Sequence, residues 1–294
     1  MSIKTTSLGD LPRDGVRQPD PVILPVPATL FSRRADRLRV LLVAHPMADW
    51  LRFLAQIAGA QAASVSETPL PAPLPTPFDL AAIPLDLGWD ATLRAFAPIA
   101  DDPAFPEAAR ATLRRLPDLD TRALARDWLA GDLATTWAGE SIVLAAALQV
   151  VFARHAAALD ATAVRLLPQR GLCPVCASPP VAGVITAKGR SPGARYLHCG
   201  LCATAWNHVR AVCTGCGEAK GLALREIEGG SGAIKAETCD VCRGYAKMFY
   251  QEKDTAIEPL ADDLASLGLD LMVSDAGWSR LGINPLLGMT GVAP

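Results

Sequence analysis

The eight cysteines of this 294-residue chain are the residues whose spacing most clearly indicates chemistry. They form four C-x-x-C pairs: Cys173/Cys176, Cys199/Cys202, Cys213/Cys216 and Cys239/Cys242. Twenty-two residues separate the first pair from the second, and twenty-two separate the third from the fourth, with ten residues between the two units. The chain therefore contains a tandem repeat of one cysteine-rich unit.

Such a unit is suited to metal binding. Two thiolates three residues apart can hold one ion from a tight turn, and two facing turns complete a tetrahedral site with four sulfur ligands. Because a unit this small buries little apolar surface, the ion would supply much of its folding free energy. The equal spacing predicts two sequential sites, Cys173, Cys176, Cys199 and Cys202 for site 1 and Cys213, Cys216, Cys239 and Cys242 for site 2. The alternative is a cross-braced arrangement, which joins the first pair to the third and the second to the fourth.

Four sulfur ligands suit both zinc and iron. A zinc ion with four protein ligands would be structural, whereas an iron ion could also change its oxidation state by one electron. Structural disulfides are an alternative, but the polar start of the chain lacks the apolar segment of a secretory signal. A thioredoxin-like redox pair is another alternative to metal binding. It needs a single C-x-x-C at the start of a helix, which four pairs with hairpins between them do not fit.

Composition narrows the class of protein. Half of the residues are hydrophobic, which excludes wholesale disorder. The formal charge of −2 shows no footprint of a protein that binds the nucleic-acid backbone, although a zinc-ribbon nucleic-acid-binding protein and a rubredoxin-like electron carrier both remain alternatives. The longest apolar stretch, residues 142–153, is interrupted only by Gln149 and is shorter than the roughly 20 residues of a membrane span. We expect no membrane span and a cytoplasmic location.

The surrounding pattern indicates the elements that position the cysteines. Residues 28–167 show a helical pattern, broken by prolines at every second position of 69–77 and completed by an apolar helix over 141–159. Each cysteine unit instead has two β-prone runs around a turn, which predicts two C-x-x-C turns flanking a hairpin. Residues 244–254 fit either a strand or the start of a helix. Residues 258–272 predict one amphipathic helix.

Outside the cysteines, the sequence shows no catalytic motif such as a Walker loop, HExxH or GxSxG. We therefore expect no catalytic residue and no cofactor-binding residue beyond the metal ligands. Asp262 and Asp263 are adjacent, so they point in different directions and are interpreted as a solvated helix face. His45 and His155 are interpreted as packing residues, and Trp206 as a residue that packs against the metal unit. His198 and His208 are interpreted as surface or hairpin residues, with a role as metal ligand or donor to sulfur as the alternative.

The cysteine region also resembles a known family. The segments LCPVCASPPVAGVI, RYLHCGLCATAWNHVRAVCTGCG and IKAETCDVCRGYAKMFYQEKD, followed by IEPLADDLASLGLDLMVSDAGWSRLGINPLL, are similar to the formate dehydrogenase accessory protein FdhE family. The similarity covers about residues 170–288 closely and reaches the N-terminal region only weakly. Four C-x-x-C pairs with these particular linkers form a specific motif, whereas a single pair would not.

The resemblance implies an α+β fold, with an N-terminal all-α bundle, two tandem small rubredoxin-like or zinc-ribbon-like metal units and a C-terminal helix. We divide the chain into a flexible tail (1–25), a helical domain (26–168), two metal units (169–210 and 211–252) and a C-terminal helix and tail (253–294). The resemblance implies a cytoplasmic assembly factor that binds the catalytic subunit of respiratory formate dehydrogenase and is not itself an enzyme. It places the thiolate ligands on the eight cysteines and implies two metal ions, with iron slightly favoured over zinc.

Overall fold

The computed structural model describes residues 3–7, 18–65, 70–85, 88–189 and 191–288. Its helices are α1 (Pro27–Leu41), α2 (Ala48–Val65), α3 (Trp89–Phe96), α4 (Glu107–Arg115), α5 (Thr121–Ala130), α6 (Ala138–Ala157), α7 (Pro259–Leu264) and α8 (Leu267–Asp275). Its strands are β1 (Ile3–Ser7), β2 (Val22–Ile23), β3 (Pro180–Ile185), β4 (Arg195–Cys199), β5 (Ala205–Asn207), β6 (Leu222–Ile227), β7 (Ile234–Cys239), β8 (Gly244–Tyr250) and β9 (Ser279–Arg280). A helical N-terminal region, a cysteine-rich sheet and C-terminal helices thus follow one another, as the sequence predicts.

Local sequence signals explain where the N-terminal helices begin and end. Helix α5 begins after Asp120, whose carboxylate accepts a hydrogen bond from the backbone N–H of Ala123 at 3.0 Å. It ends at Gly131, which has a φ of +80° that glycine adopts without strain.

The proline-rich connector forms neither helix nor strand over the described residues 70–78. Its positions 66–69 lie outside the described residues.

Helix α6 is the centre of the helical domain. Its side chains are buried at every position from Val143 to Ala156, because α2, α3, α4 and α5 pack around it. The segment Thr135–Ala157 is long and apolar enough to cross a membrane by composition alone. However, 72% of its apolar window is buried inside the protein, which is typical of a core helix. Its packing therefore indicates no membrane span for this segment.

The two cysteine units share one sheet. Strands β3, β4 and β5 form the first unit and β6, β7 and β8 form the second, and all pairings within the units are antiparallel. Parallel pairing of β3 with β8 joins the units, giving the order β1-β6-β7-β8-β3-β4-β5-β2, with β9 paired to β8. The predicted hairpins are confirmed as β3–β4 and β6–β7. The third strand of the first unit, β5, and the parallel junction were not predicted. Residues 244–250, which fitted either a strand or the start of a helix, are the strand β8.

Segments at both ends of the chain differ from the sequence expectation. Strand β1 pairs with β6 and strand β2 pairs with β5, so two parts of the expected flexible tail belong to the sheet. Residues 1–2 and 8–17 of that tail lie outside the described residues. The single C-terminal helix expected over 258–272 is instead two helices, because Ala265 and Ser266 interrupt it. Our division of the chain into domains remains a proposal.

Candidate metal centres

The structure groups the eight sulfurs in sequential order and not in the cross-braced order. In site 1, Sγ of Cys173 lies 3.5 Å from Sγ of Cys202, and Sγ of Cys176 lies 3.4 Å from that of Cys199 and 3.6 Å from that of Cys202. In each site, all four sulfurs lie within 4.8 Å of one another. None of the eight cysteines forms a disulfide. Each site therefore brings four thiols together without joining them.

Site 2 has the same arrangement with slightly longer separations. Sγ of Cys213 lies 3.7 Å from Sγ of Cys242, and Sγ of Cys216 lies 3.8 Å from Sγ of Cys239. A tetrahedral ion with metal–sulfur bonds of about 2.3 Å places its four sulfurs about 3.8 Å apart. The observed separations are close to this value. Both cysteine clusters thus fit the ion that the sequence predicts for them.

The backbone at each C-x-x-C pair forms the same tight turn. In the first pair, the N–H of Ala177 donates to the carbonyl oxygen of Cys173 at 2.9 Å, and in the third pair Gly217 donates to Cys213 at 3.0 Å. The residue directly after the second cysteine has a positive φ in all four turns, at Ala177, Ala203, Gly217 and Arg243. Only glycine adopts this conformation without strain. Gly217 was the one sequence signal for it, so the other three positions could not be recognised from the sequence.

Backbone N–H groups form hydrogen bonds to sulfurs in both sites. The backbone N–H groups of Leu201 and Cys202 each donate to Sγ of Cys199 at 3.4 Å. The hydroxyl of Ser178 lies 3.4 Å from Sγ of Cys176, and that of Thr204 lies 3.2 Å from Sγ of Cys202. In site 2 the N–H of Gly215 donates to Sγ of Cys213 at 3.3 Å, and the backbone N–H groups of Glu218 and Gly244 form hydrogen bonds to Sγ of Cys216 and Cys242. The backbone N–H donors favour ionised sulfur, the form that binds metal.

The electrostatics of site 1 favour a cation. Burial raises the pKa of the Cys173 and Cys202 thiols well above the ordinary cysteine value. Burial also acts to raise the pKa of Cys176, but hydrogen bonds from the other sulfurs and Ser178 outweigh it and bring the pKa well below that value. The surroundings of Cys176 thus favour its ionised form, whereas those of Cys173 and Cys202 favour the protonated form. A bound metal ion would deprotonate these thiols outright and replace their protons as the positive charge at the centre.

Site 1 is joined to the helical domain through a buried glutamine. Gln149, the polar interruption of the apolar stretch in α6, donates from Nε2 to the carbonyl oxygen of Gly200 in the second turn of site 1 at 2.7 Å. Its Oε1 accepts hydrogen bonds from Arg34 and Gln61, both at 3.1 Å. A single amide therefore connects α1, α2 and α6 to the metal-binding turn. The lone polar residue in an apolar run was the sequence signal for this contact, and the sequence did not show its partner.

A second buried contact joins the two units. Arg195 on β4 donates from Nη1 to both carboxylate oxygens of Glu237 on β7, at 2.7 and 2.8 Å. Nη2 of the same guanidinium lies 2.7 Å from Nδ1 of His208 and donates to the carbonyl oxygen of Val212 at 2.8 Å. Burial, together with the charge of Arg195, lowers the pKa of His208 to about 4. His208 is therefore a neutral buried residue and not a surface residue.

The other histidines and Trp206 also have packing contacts. His45 places Nε2 3.0 Å from the carbonyl oxygen of Ala265, and the ring of His155 packs edge-on against Phe78. His198 is half-buried beside site 1. Trp206 is buried and donates from Nε1 to the carbonyl oxygen of Arg170 at 2.9 Å.

The interpretation of Asp262 and Asp263 as a solvated face is wrong, because both carboxylates are buried. Asp262 accepts from Nε of Arg37 on α1 at 2.9 Å. Asp263 lies 2.8 Å from Nζ of Lys247 on β8 and also pairs with Arg280 on β9. The two residues do point in different directions, as predicted. Asp262 points to the half-buried Arg37 and Asp263 to the buried Lys247, which sequence periodicity alone could not show.

Comparisons with known proteins agree with this architecture. The family models described as FdhE N-terminal, FdhE central domain and FdhE C-terminal domain match residues 19–168, 172–210 and 211–287. The chain is 36% identical to a protein FdhE homolog of Rhizobium meliloti, over 92% of this chain and 97% of that one. It is also 36% identical to protein FdhE of Escherichia coli, over 98% of both chains.

A solved structure shows the same fold. The crystal structure of the FdhE protein from Pseudomonas aeruginosa superposes with a TM-score of 0.77 at 35% sequence identity, and covers 92% of this chain and 100% of that one. The three family models together span nearly all of the described residues. The chain therefore belongs to the FdhE family of formate dehydrogenase accessory proteins.

Proposed function

We propose that this chain is a cytoplasmic maturation factor that binds the catalytic subunit of formate dehydrogenase and holds one metal ion in each of its two tetracysteine sites. The observation that carries the proposal is the pair of preformed sulfur clusters in a chain that resembles FdhE proteins over its whole length. We further propose that the chain does not oxidise formate itself.

The metal sites give this proposal a physical mechanism. Each ion would join two C-x-x-C turns and so order the strands between them. The ordered sheet would offer the catalytic subunit a preformed surface, which reduces the conformational entropy lost on binding. When bound, the ions would supply four-sulfur cross-links, and iron in either site would add a one-electron couple. The rest of the proposed mechanism is the binding of the catalytic subunit by the protein surface.

The experiment combines activity with binding. A strain that lacks its own FdhE protein is complemented with this chain, and formate dehydrogenase activity is measured together with co-purification of the catalytic subunit. We expect the unaltered chain to restore activity and to retain the subunit. Replacement of all eight cysteines by serine is expected to abolish both, whereas the exposed control Lys253→Ser changes neither.

Two results would contradict the proposal. Undiminished activity and co-purification with the eight-serine variant would show that the cysteine clusters are not needed. Formate oxidation by the purified chain would show an enzyme in its own right. A visible iron–thiolate absorption that bleaches on reduction and returns with a physiological partner would favour a rubredoxin-like electron carrier. A mobility shift of nucleic acid that weakens steeply with salt would favour a zinc-ribbon nucleic-acid-binding protein.

A further inference from the structure

The internal repeat allows the two metal centres to be compared position by position. Leu201 and Val241 occupy the same place, directly before the last cysteine of each unit. Leu201 is 1% exposed, whereas Val241 is 60% exposed. The same turn is thus covered in site 1 and open to solvent in site 2, over the part of the chain that the structure describes.

The cysteines themselves show the same difference. All four sulfur ligands of site 1 are buried and belong to the main hydrophobic core, together with Val175 and Trp206. In site 2, Cys213 and Cys239 are buried, but they pack only in a small cluster with Leu222 and Leu281. Cys216 and Cys242 are exposed. Site 2 is therefore closed on one side and open on the other.

The neighbouring side chains reinforce this asymmetry. Ser178 and Thr204, whose hydroxyls lie beside sulfurs of site 1, correspond in the repeat to Glu218 and Gly244 at site 2. The Glu218 carboxylate accepts from the N–H of Ala219 at 2.8 Å and so turns to its own loop. Site 2 consequently lacks, at both of these repeat positions, the hydroxyl that site 1 places against a sulfur.

The open side of site 2 faces a groove. Cys216 and Cys242 both line a cavity of about 350 Å³, whose other walls include Leu172, Pro180 and Leu281. The cavity is large enough for a small thiol to approach the two sulfurs. Exposed thiolates exchange ligands readily, whereas release from a buried cluster first requires local unfolding of the core around it.

We propose that the two metal centres have different roles. Site 1 retains its ion permanently, whereas site 2 gives up its ion to incoming thiol ligands, which reach it through the face formed by Cys216 and Cys242. This inference rests on the proposed metal binding. In the exchange step, the sulfur of an incoming thiol binds the ion as the bond to Sγ of Cys216 or Cys242 breaks. The proton lost by the incoming thiol passes to the released cysteine, so neither oxidant nor reductant is needed.

The test follows metal release from the full chain loaded with two equivalents of Zn²⁺. An excess of the chromogenic chelator 4-(2-pyridylazo)resorcinol is added, and its zinc complex is measured with time. We expect two phases of one ion each, with the first at least about tenfold faster than the second. Reduced glutathione is expected to accelerate the fast phase in proportion to its concentration and to leave the slow phase unchanged.

Labelling and a matched pair of variants assign the phases to the sites. N-ethylmaleimide added during the fast phase, followed by peptide mass spectrometry, is expected to modify cysteines of site 2 and to spare those of site 1. Leu201→Ala removes the cover of site 1 and should accelerate the slow phase at least about tenfold. Val241→Ala alters a side chain that is already exposed and should change neither phase.

Three results would overturn the inference. Binding of two ions followed by their release at one rate would refute the difference between the sites and leave the proposed metal binding intact. Modification of site 1 cysteines during the fast phase would show that site 1, and not site 2, releases its ion first. A chain that binds no Zn²⁺ would overturn this inference together with the proposed metal sites. The labelling of the unaltered chain decides the question even where Leu201→Ala fails to fold.

Discussion

At the scale of single residues, the turns that hold the sulfurs contain backbone strain. Ala177 has a φ of +58°, in the left-handed region that costs non-glycine residues about 1–2 kcal/mol. Ala203 and Arg243 have the same conformation at the equivalent positions of their turns. A strained backbone repeated after three of the four cysteine pairs indicates that the turn geometry itself is required.

Relief of this strain gives the first prediction. Ala177→Gly should raise the free energy of unfolding by up to about 1 kcal/mol, because the lost strain exceeds the added entropy of the unfolded chain. The control is Ala111→Gly in the exposed part of α4, where the helical φ favours alanine and a loss of about 1 kcal/mol is expected. Denaturant unfolding of the metal-loaded chains measures both. Equal losses in the two variants would contradict the strain account.

Gln149 gives the second prediction. Gln149→Leu keeps a similar volume but leaves the Gly200 carbonyl and the donors of Arg34 and Gln61 without this buried partner. We expect unfolding free energy to fall by about 2–3 kcal/mol, since each unsatisfied buried polar group carries its desolvation penalty. Gln56→Leu, on the exposed face of α2, is the control and should stay within about 0.5 kcal/mol. Similar values for the two variants would show that the amide does not couple the helices to site 1.

At the scale of elements, the C-terminal helices are held to the sheet and to α1 by buried charge. Helix α7 carries Asp263, whose carboxylate meets Lys247 and Arg280 and also accepts from Nδ2 of Asn284 at 3.0 Å. Burial acts to raise the pKa of Asp263, but the two cations outweigh it, so the pKa lies below its ordinary value. The charged form is therefore the one that stabilises the fold.

The third prediction follows from the sign of this shift. Asp263→Asn should lower the free energy of unfolding by about 3 kcal/mol near neutral pH, because it removes one of the two carboxylates, Asp263 and Asp270, that Lys247 and Arg280 share. The difference from the unaltered chain should be complete above the ordinary carboxyl pKa near 4 and shrink as pH falls through the lowered pKa. The exposed pair Asp36–Arg39 supplies the control Asp36→Asn, with a change below about 1 kcal/mol. A constant difference down to pH 2, in denaturant titrations, would contradict the account.

The segment after α8 crosses the cysteine sheet at very close range. A Cβ atom at Gly282 would lie 1.9 Å from the carbonyl oxygen of Pro180 at the start of β3. One at Gly268, near the start of α8, would meet nothing within 4 Å. The two glycines thus provide a matched test of backbone approach.

The fourth prediction uses this pair. Gly282→Ala should lower the free energy of unfolding by about 3 kcal/mol, because the segment must move away from β3. Gly268→Ala should raise it by up to about 1 kcal/mol, since alanine is the better helix former. Thermal or denaturant unfolding compares them. Gly282→Ala with unaltered stability would show that the close approach is not needed for folding.

At the scale of the whole molecule, the sequence predicted the two repeated cysteine clusters better than it predicted how the elements pack together. Equal spacing between cysteine pairs predicted the sequential clusters, and β-prone runs around a turn predicted the β3–β4 and β6–β7 hairpins. The parallel junction between β3 and β8 involves residues more than sixty positions apart, and no local pattern reports such a pairing. The burial of Asp262 and Asp263 was missed for the same reason, because their partners Arg37, Lys247 and Arg280 lie on other elements.

The central claim is that each cluster of four cysteines holds one metal ion. Elemental analysis of the chain purified without added metal, combined with X-ray absorption at the edge of the metal found, tests it most directly. We predict two metal ions per chain, each surrounded by four sulfur atoms at about 2.3 Å. Metal-free protein whose eight cysteines are joined as disulfides would contradict the account.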